Sequence, residues 1–379
     1  MNAPCPPDWL DGLDALAAQA VGLSDPNPRV ACRLITRAGQ VFEGHTQAAG
    51  GPHAEVVALR AAQAAGADLS GATTIVTLEP CSHHGRTPPC CDALIDARVG
   101  HVIVALPDPN PLVGGQGLAR LRAAGIRVDL LDATHPLAVA SRELNIGFLS
   151  RMERGRPWVR LKVAASLDGT TALANGVSQW ITGEAARADG HAWRKRASAL
   201  LTGIGTVQED NPRLDVRLVD TPRQPRRVVV DSRLEIAPTA RILQPPGEAW
   251  VYTACPPAES AAQRAALAQR DVTVVDCPGA PGRSGSHPKV DLAAMLTDLA
   301  RREVNELHLE AGHKLNGSFL REGLVDELLL YLAPQLLGPG LGLAHIGPYT
   351  RLDEGVQLTF TDVTPVGPDL RLRARVLPR

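Results

Sequence analysis

The residues best suited to chemistry are a His-x-Glu pair and a cysteine-containing segment downstream of it. The first is His53-Ala54-Glu55, and the second runs from Pro80-Cys81 to Pro89-Cys90. One imidazole and two thiolates are common zinc ligands, and three protein ligands leave the fourth tetrahedral position to water. Zinc lowers the pKa of that water, and Glu55 is placed to carry a proton to a leaving amine. The motif predicts a zinc-dependent hydrolytic deaminase centre. Its second cysteine is farther from the first in sequence than in the usual Pro-Cys-x-x-Cys motif.

Two elements must hold these ligands. The run from Thr73 to Leu78 is rich in β-branched residues and lies between Gly71 and Pro80, so it predicts a strand that ends before Cys81. Apolar residues at helical spacing after His53 predict a helix that begins there. A closed structural zinc site, completed by His83, His84 or Cys91, is the alternative.

The rest of the first half alternates helix and strand, which predicts an α/β layer. Helices are expected at Leu10 to Val21 and Gly117 to Ala124, and strands at Val30 to Ile35, Val41 to Gly44, Val102 to Leu106 and Ile126 to Leu130. The chain turns basic and polar between Arg151 and Pro157, where a domain boundary is expected. This gives a first domain over residues 1–150 and a second over 157–379.

The second half starts a new α/β pattern. Strands are expected at Trp158 to Val163, Ala199 to Gly203, Arg227 to Val230, Trp250 to Thr253, Val272 to Val275, Leu307 to Leu309 and Leu328 to Leu332. No G-x-G-x-x-G fingerprint is present. Glu310-Ala-Gly312, before a helix that starts at Lys314, and Gly203-Ile-Gly205-Thr206 could each bind an anion through backbone N–H groups, or could be simple turns. Arg194, Arg213 and Arg217 are candidates for a phosphate, or are solvated surface charge.

Composition narrows the class of protein. Lys plus Arg total 39 and Asp plus Glu 40, so no charge excess argues for a nucleic acid or a membrane surface as partner. No run approaches the roughly 18 apolar residues of a membrane span. Seven cysteines, two of them in a metal-type motif, suit a reducing compartment. We expect a cytoplasmic enzyme that acts on a small molecule and forms a homo-oligomer.

Several motifs together resemble one family. Asn27-Pro28, His53-Ala54-Glu55, the segment from Thr77 to Cys90 and Asp108-Pro-Asn-Pro111 resemble the deaminase half of the bifunctional riboflavin-biosynthesis deaminase/reductase. Ala165-Ser-Leu-Asp-Gly169, Ser178 to Thr182, Asp210-Asn-Pro212 and Glu310-Ala-Gly312 resemble its reductase half. The resemblance covers nearly the whole chain in family order. It implies a cytidine-deaminase-like α/β/α domain followed by a dihydrofolate-reductase-like α/β domain.

The resemblance also implies an activity and site residues. The activity is hydrolytic deamination of 2,5-diamino-6-ribosylamino-4(3H)-pyrimidinone 5′-phosphate, followed by NADPH-dependent reduction of the ribosyl group. The zinc ligands would be His53, Cys81 and Cys90, with Glu55 as the catalytic proton shuttle. Pyrimidine-side residues would be Asn27, Ala54, His83 and Arg86. NADPH would contact Ala164, Trp180, Thr206, Asp210, Ser232, Gly312, His313, Lys314, Leu315, Asn316, Gly317 and Ser318. The ribose phosphate would face Lys162, Ser178, Arg194, Leu214, Arg217 and Glu310.

The sequence departs from the family pattern at three places. Ala31 stands where the family's Asn-Pro-x-Val-Gly motif has glycine, with Arg29 at the variable position. The family's Gly-x-His appears as Gly44-His45-Thr46, so its histidine is either replaced by Thr46 or displaced by one residue. His313 stands where smaller residues are commoner.

Two other hypotheses compete. One is a zinc deaminase of another nucleotide with a degenerate reductase-like domain, and cofactor titration would separate it from the first. The other is a zinc-stabilised scaffold without turnover. An open ligand position and Glu55 argue against the scaffold, because neither is needed for structure.

Overall fold

The chain divides into two units, Met1–Gly155 and Arg156–Arg379. The computed structural model describes residues 7–82, 88–110, 114–244, 246–280 and 287–378. Each unit is built on its own mainly parallel or mixed sheet, so the prediction of an α/β fold in both halves is confirmed. Among the described residues, no helix is both long and apolar enough to cross a membrane.

The first unit has five strands in the order β2-β1-β3-β4-β5. These are β1 (Ala31–Ile35), β2 (Val41–His45), β3 (Thr73–Val76), β4 (His101–Val104) and β5 (Arg127–Leu130). Strand β1 runs antiparallel to both β2 and β3, whereas β3, β4 and β5 are parallel. The start of β1 therefore lies at the same edge of the sheet as the ends of β2 and β3.

Helices cover both faces of this sheet. They are α1 (Leu13–Ala18), α2 (Ala54–Ala64), α3 (Cys90–Asp96), α4 (Gln116–Ala123), α5 (Pro136–Leu144) and α6 (Ile146–Arg154). Ile75 and Ile103 face one core with Leu13 and Leu137, from α1 and α5. Their strand neighbours face a second core with residues of α2, α3 and α4, because successive strand residues point to opposite faces. The result is a three-layer α/β/α unit.

Two elements are shorter than the sequence predicted. The strand expected to run from Thr73 to Leu78 ends at Val76, and Thr77 turns its hydroxyl to accept a hydrogen bond from the Ala31 N–H at 2.9 Å. The helix expected from Leu10 to Val21 covers only Leu13–Ala18. A side-chain hydrogen bond follows the end of the strand, and turns replace both ends of the expected helix.

The second unit has a nine-stranded sheet in the order β11-β10-β9-β8-β12-β6-β13-β16-β15, with β7 and β14 paired separately. The strands are β6 (Trp158–Ser166), β7 (Thr170–Leu173), β8 (Ala199–Gly203), β9 (Arg226–Val230), β10 (Ala249–Thr253), β11 (Val272–Asp276), β12 (Glu306–Leu309), β13 (Glu327–Ala333), β14 (Gly340–Gly342), β15 (Leu358–Val366) and β16 (Asp369–Val376). Strands β6, β8, β9, β10, β11, β12 and β13 are mutually parallel. Their carboxyl ends share one edge, which is where open α/β sheets bind ligands.

In the part of this unit that the structure describes, five helices pack on the sheet. They are α7 (Glu184–Arg196), α8 (Ile204–Asp210), α9 (Ala261–Ala268), α10 (Leu292–Arg301) and α11 (His313–Arg321). The largest core joins β6, β8 and β12 to α10 and α11 through residues such as Leu161, Leu309, Met295 and Phe319. A second core, with Leu200, Val229 and Leu267, covers the other face of β8 and β9.

The C-terminal hairpin of β15 and β16 and the short pair β7 and β14 were not predicted. Strand β15 is largely exposed, and β16 alternates leucine with arginine in Asp369-Leu-Arg-Leu-Arg373. A weakly buried strand carries little hydrophobic signal, because its pairing depends on backbone hydrogen bonds rather than on a core face.

Candidate functional site

The side chains of His53, Cys81 and Cys90 converge in the first unit. Nδ1 of His53 lies 3.6 Å from Sγ of Cys81 and 3.3 Å from Sγ of Cys90. All three donor atoms lie within 4.8 Å of one another. A tetrahedral zinc, with Zn–S near 2.3 Å and Zn–N near 2.0 Å, places sulfur and nitrogen roughly 3.6 Å apart. The donor set therefore fits zinc in both chemistry and spacing.

Each ligand is held by the start of a helix or the end of a strand. His53 is the N-cap of α2, Cys90 is the first residue of α3, and Cys81 follows β3. The Cys90 N–H donates to Sγ of Cys81 at 3.3 Å. Hydrogen bonding from the Cys90 side chain, with further hydrogen bonding from His53, lowers the pKa of the Cys81 thiol. This favours the thiolate, which is the form that binds metal.

Glu55 lies in the first turn of α2 and is only 3% exposed. Burial, together with the nearby charge of Cys81, raises the pKa of its carboxyl to about 7. A bound zinc dication would oppose that rise through its positive charge. A buried carboxylate beside three metal-binding side chains is suited to proton transfer.

Cys91 does not join the cluster. Its thiol donates to the carbonyl oxygens of Pro80 at 3.3 Å and Gly117 at 3.6 Å. The closed site with Cys91 as fourth ligand is therefore not what the structure shows. His83 and His84, the other candidates for closing the site, lie outside the described residues, as does Arg86.

The remaining pyrimidine-side candidates lie around the same sheet edge. Ala54 is buried at the start of α2. Asn27 lies in the loop before β1, where its N–H donates to the Ser24 carbonyl at 2.8 Å. Because β1 starts where β2 and β3 end, this loop lies at the edge from which the chain continues toward His53 and Cys81.

In the second unit the structure brings Arg194, Glu310 and Lys162 together. Arg194 donates from both Nε and Nη2 to the Glu310 carboxylate, at 2.5 and 2.9 Å. Nζ of Lys162 lies 3.7 Å from the same carboxylate. Burial alone would raise the pKa of Glu310, but the charges of Arg194 and Lys162 hold it well below its usual range. Glu310 is thus an ionised carboxylate at the end of β12.

Asp215 anchors a second set of arginines beside this one. Its carboxylate contacts Nε of Arg213 at 2.8 Å and Nη1 of Arg217 at 2.7 Å, and its carbonyl accepts from Arg194 at 3.0 Å. Arg213 and Arg217 are 49% and 45% exposed, whereas Arg194 is 15% exposed. Leu214, which was also predicted near the substrate, lies between these two arginines in the sequence, and its side chain is buried.

The two loops predicted to bind anions are in contact. The Gly312 N–H donates to Oγ1 of Thr206 at 3.2 Å, which joins the start of α11 to α8 at the carboxyl ends of β12 and β8. Asp210 ends α8 and is exposed. Ser232, after β9, accepts from the Val290 N–H at 3.1 Å.

Other predicted cofactor and substrate residues occupy separate segments. Ala164 lies on β6, opposite Tyr331 of β13. Trp180 is 66% exposed, with the guanidinium of Arg187 4.6 Å from the centre of its ring. Ser178 precedes it in the same loop and is half-buried.

Helix α11 presents its predicted cofactor residues unequally. Gly312 and Lys314 are exposed, His313, Leu315 and Ser318 are half-buried, and Asn316 and Gly317 are buried. Asn316 donates to the Leu343 carbonyl at 3.0 Å. Buried residues of α11 therefore pack against the chain, while its first turn is the part that a ligand can reach.

Three residues of the charged region were missed from sequence. His308 is fully buried, with Nε2 3.3 Å from Glu310 Oε1. His191 accepts at Nδ1 from the Arg217 N–H at 3.0 Å, and Asp215 pairs with the arginines. Glu310 directly follows β12 and lies two positions after His308, the spacing that puts residues of an extended segment on one face. That spacing could have identified His308; no sequence signal marks the other two.

Two family models match the chain. Residues 10–106 match the cytidine and deoxycytidylate deaminase zinc-binding region, and residues 157–372 match the RibD C-terminal domain. The riboflavin biosynthesis protein RibD of Escherichia coli (strain K12) is 42% identical over 371 residues, covering 94% of this chain and 95% of the relative. The RibD of Bacillus amyloliquefaciens is 37% identical over 369 residues, covering 97% and 95%.

Solved structures agree with these matches. RibD of Acinetobacter baumannii superposes with a TM-score of 0.85 at 38% identity, covering 98% of both chains. A diaminohydroxyphosphoribosylaminopyrimidine deaminase/5-amino-6-(5-phosphoribosylamino)uracil reductase of Thermotoga maritima gives 0.82 at 29% identity, again covering 98% of both chains. With a zinc-type donor set in the first unit and a reductase-type match over the second, the chain belongs to the RibD family of bifunctional riboflavin-biosynthesis enzymes, which join a zinc-dependent deaminase to an NADPH-dependent reductase.

Proposed function

We propose that this chain deaminates 2,5-diamino-6-ribosylamino-4(3H)-pyrimidinone 5′-phosphate in its first unit and reduces the ribosyl side chain of the product in its second. The observation that carries the first step is the convergence of His53, Cys81 and Cys90 within 4.8 Å beside the buried Glu55. The observation that carries the second is the charged cluster around Glu310 at the carboxyl end of the parallel sheet.

In the first unit, His53, Cys81 and Cys90 would hold zinc, and Glu55 would move the proton. Zinc, when bound, would lower the pKa of a water molecule so that it can lose a proton near neutral pH and attack as hydroxide the ring carbon that bears the amine. Glu55 accepts the proton of the attacking water and donates it to the departing amine. Its burial keeps bulk water from competing for that proton, and Asn27 and Ala54 remain the residues that we expect to contact the pyrimidine.

In the second unit, the charge balance favours a phosphate. Arg194, Lys162, Arg213 and Arg217 supply four positive charges against two carboxylates, Glu310 and Asp215. An excess of two positive charges suits a phosphate dianion, and guanidinium groups bind phosphate oxygens in pairs. The Arg194 guanidinium already donates two hydrogen bonds to Glu310. We therefore expect the half-exposed Arg213 and Arg217 to contact the phosphate.

NADPH supplies the hydride for the reduction. The first turn of α11 offers backbone N–H groups at His313 and Lys314 to its pyrophosphate, with Thr206 holding Gly312 in place. Trp180, Ala164, Asp210 and Ser232 remain predicted cofactor contacts. The alternative of a degenerate reductase-like domain is not favoured, since the match to the reductase model extends over residues 157–372.

The direct test uses the purified protein with the diaminopyrimidine ribotide, with and without NADPH, and records product masses. Without NADPH we expect only the mass change of replacing an amine by oxygen. With NADPH we expect the further gain of two hydrogens. Deamination of a different nucleotide in preference, or no NADPH consumption with the deaminated ribotide, would overturn the proposal.

We also propose that the enzyme works in the cytoplasm as a homo-oligomer. All six cysteines of the described residues are free, and two are the zinc-binding thiols, which suits a reducing compartment. Strand β15 ends the large sheet and exposes Leu358, Phe360 and Val363, a surface that a second copy could cover. Light scattering of the wild type and of Phe360→Lys tests the assembly: a monomeric wild type would contradict it.

A further inference from the structure

The loop that carries Asn27 is fixed by a side chain far away in sequence. The carboxamide of Asn145 accepts at Oδ1 from the Arg29 N–H at 2.7 Å and donates from Nδ2 to the Arg29 carbonyl at 2.9 Å. It thereby satisfies both backbone groups of one residue, as a neighbouring strand would do. Nδ2 also donates to the Ser141 carbonyl at 3.1 Å.

Asn145 is itself held rigidly. It lies at the junction where α5 ends and α6 begins, and only 3% of it is exposed. Nη1 of Arg29 returns a hydrogen bond to the Leu144 carbonyl at 2.8 Å. Three hydrogen bonds therefore connect Arg29 to the α5–α6 junction, across more than a hundred residues of chain.

The loop of Asn27–Arg29, which the Asn145 hydrogen bonds clamp, leads directly to the edge of the sheet that holds the zinc ligands. The N–H of Val30, the next residue, donates to Oγ1 of Thr46 at 3.1 Å, just after β2. The N–H of Ala31 donates to Oγ1 of Thr77 at 2.9 Å, just after β3. The chain goes on from Thr46 toward His53 and from Thr77 toward Cys81, so the two residues after Arg29 are hydrogen-bonded to the starts of both ligand-bearing segments.

We propose that Asn145 is a positioning residue for substrate binding in the deaminase, acting through the backbone of Asn27–Arg29. This rests on the proposed function, in which Asn27 contacts the pyrimidine. Asn145 lies beyond residue 106, where the match to the general deaminase zinc-binding region ends, whereas Arg29 lies within it. A residue outside the shared zinc-binding region is suited to setting which substrate binds, whereas the chemistry stays with the zinc ligands and Glu55.

The test is the steady-state kinetics of Asn145→Asp and Asn145→Ala with the diaminopyrimidine ribotide. Asp keeps the acceptor for the Arg29 N–H but turns an oxygen toward the Arg29 and Ser141 carbonyls, and Ala removes the clamp without adding repulsion. Losing these hydrogen bonds should raise KM about tenfold, with kcat changed much less. Zinc content and reduction of the deaminated ribotide should equal those of the wild type.

Ser141→Ala is the matched control. The Ser141 hydroxyl is buried one turn away and makes no hydrogen bond within the described part of the chain, so its loss should leave KM unchanged. Amide exchange at Arg29 should speed up in both Asn145 variants and not in the control. Zinc-loaded variants whose KM stays at the wild-type value, or whose kcat falls while KM does not rise, would overturn the proposal.

The two proposals fail in different ways. If the wild type does not turn over the ribotide, the proposed function is wrong and the Asn145 comparison is not reached. If the wild type is active and the Asn145 variants bind substrate normally, only the positioning role is wrong. If Asn145→Asp fails to bind zinc, Asn145→Ala decides the question.

Discussion

At the scale of single residues, the chemistry depends on which side chains point into the zinc cluster and which do not. Cys90 and Cys91 are adjacent in sequence, yet Cys90 lies 3.3 Å from His53 Nδ1 while Cys91 donates to two carbonyl oxygens. Both are buried thiols. Their different roles follow from the first turn of α3, which points successive side chains in directions about 100° apart.

Cys81→Ser should therefore lose most of the bound zinc, and Cys91→Ser should keep it. A serine hydroxyl is a poor zinc ligand, but at residue 91 it can still donate to the same carbonyls. Metal analysis of both purified variants, together with deaminase activity, tests this. Full zinc in Cys81→Ser, or loss of zinc in Cys91→Ser, would contradict the assignment.

His191 is the residue in the charged region whose protonation should affect stability. Burial, with the neighbouring charges of Arg194 and Arg217, lowers its pKa from 6.5 to about 4, and Glu310 and Asp215 oppose this only in part. Between these pH values the unfolded chain binds a proton that the folded chain does not. The contribution of neutral His191 to the stability of the fold is thus fully present above pH 6.5 and is lost as the pH falls toward 4.

His191→Gln should flatten this pH dependence, because glutamine can still accept from the Arg217 N–H but does not titrate. Urea midpoints at several pH values between 4 and 6.5 measure it. Tryptophan fluorescence reports mainly on the second unit, which holds Trp158, Trp180, Trp193 and Trp250 of the five tryptophans. His287→Gln, at an exposed histidine, should keep the wild-type slope; equal slopes in all three proteins would refute the prediction.

At the scale of elements, the parallel strands bring residues of the reductase unit to one edge of the sheet. Strands β8 and β12 are neighbours, so Thr206 and Gly312, which follow them, meet at one edge. Helix α11 begins there, and its middle residue, Gly317, lies against the backbone of His345. A Cβ added at Gly317 would lie 2.2 Å from the His345 carbonyl oxygen, so only glycine fits there without a shift of the backbone.

Gly317→Ala should destabilise the second unit by about 1–3 kcal/mol, as overpacking of a close contact does, and should weaken NADPH binding by shifting the first turn of α11. Gly190→Ala is the matched control, since Gly190 is also a buried helical glycine but a Cβ there meets nothing within 4 Å. That variant should be neutral or slightly stabilised. Thermal unfolding and NADPH titration measure both, and equal behaviour of the two variants would contradict the argument.

At the scale of the whole molecule, the two activities occupy two units with separate sheets and separate cores. The zinc cluster lies in the first unit and the charged cluster around Glu310 in the second. No side chain assigned to one reaction belongs to the other unit. The two reactions should therefore be separable by single substitutions.

Glu55→Gln should retain zinc and lose deamination by roughly a hundredfold or more, because the amide keeps the shape but cannot carry the proton. Reduction should be unchanged. The measurement supplies the already deaminated ribotide with NADPH and compares rates in wild type and variant. Loss of reduction in a zinc-loaded Glu55→Gln protein would show that the two sites are not independent.

The sequence by itself predicted that His53, Cys81 and Cys90 come together, the order of the two units and most strands of both sheets. His53, Glu55, Cys81 and Cys90 could be predicted because each belongs to a short motif whose spacing is set by the start of one helix or the end of one strand. The strands β6, β8, β9, β10, β12 and β13 could be predicted because buried parallel strands are nearly continuous apolar runs. Local spacing and local hydrophobicity are properties that a one-dimensional sequence carries.

Only the tertiary structure decided which distant residues act on one another. Arg194 and Glu310 are 116 positions apart, as are Arg29 and Asn145, and nothing in either local sequence names its partner. It also decided that the Arg194 guanidinium pairs with Glu310 and that the Cys91 thiol points away from His53, Cys81 and Cys90. The exposed strands β15 and β16 escaped prediction for a related reason. Pairing between distant segments is fixed by the packing of whole elements, which sums many weak contacts that no single stretch of sequence contains.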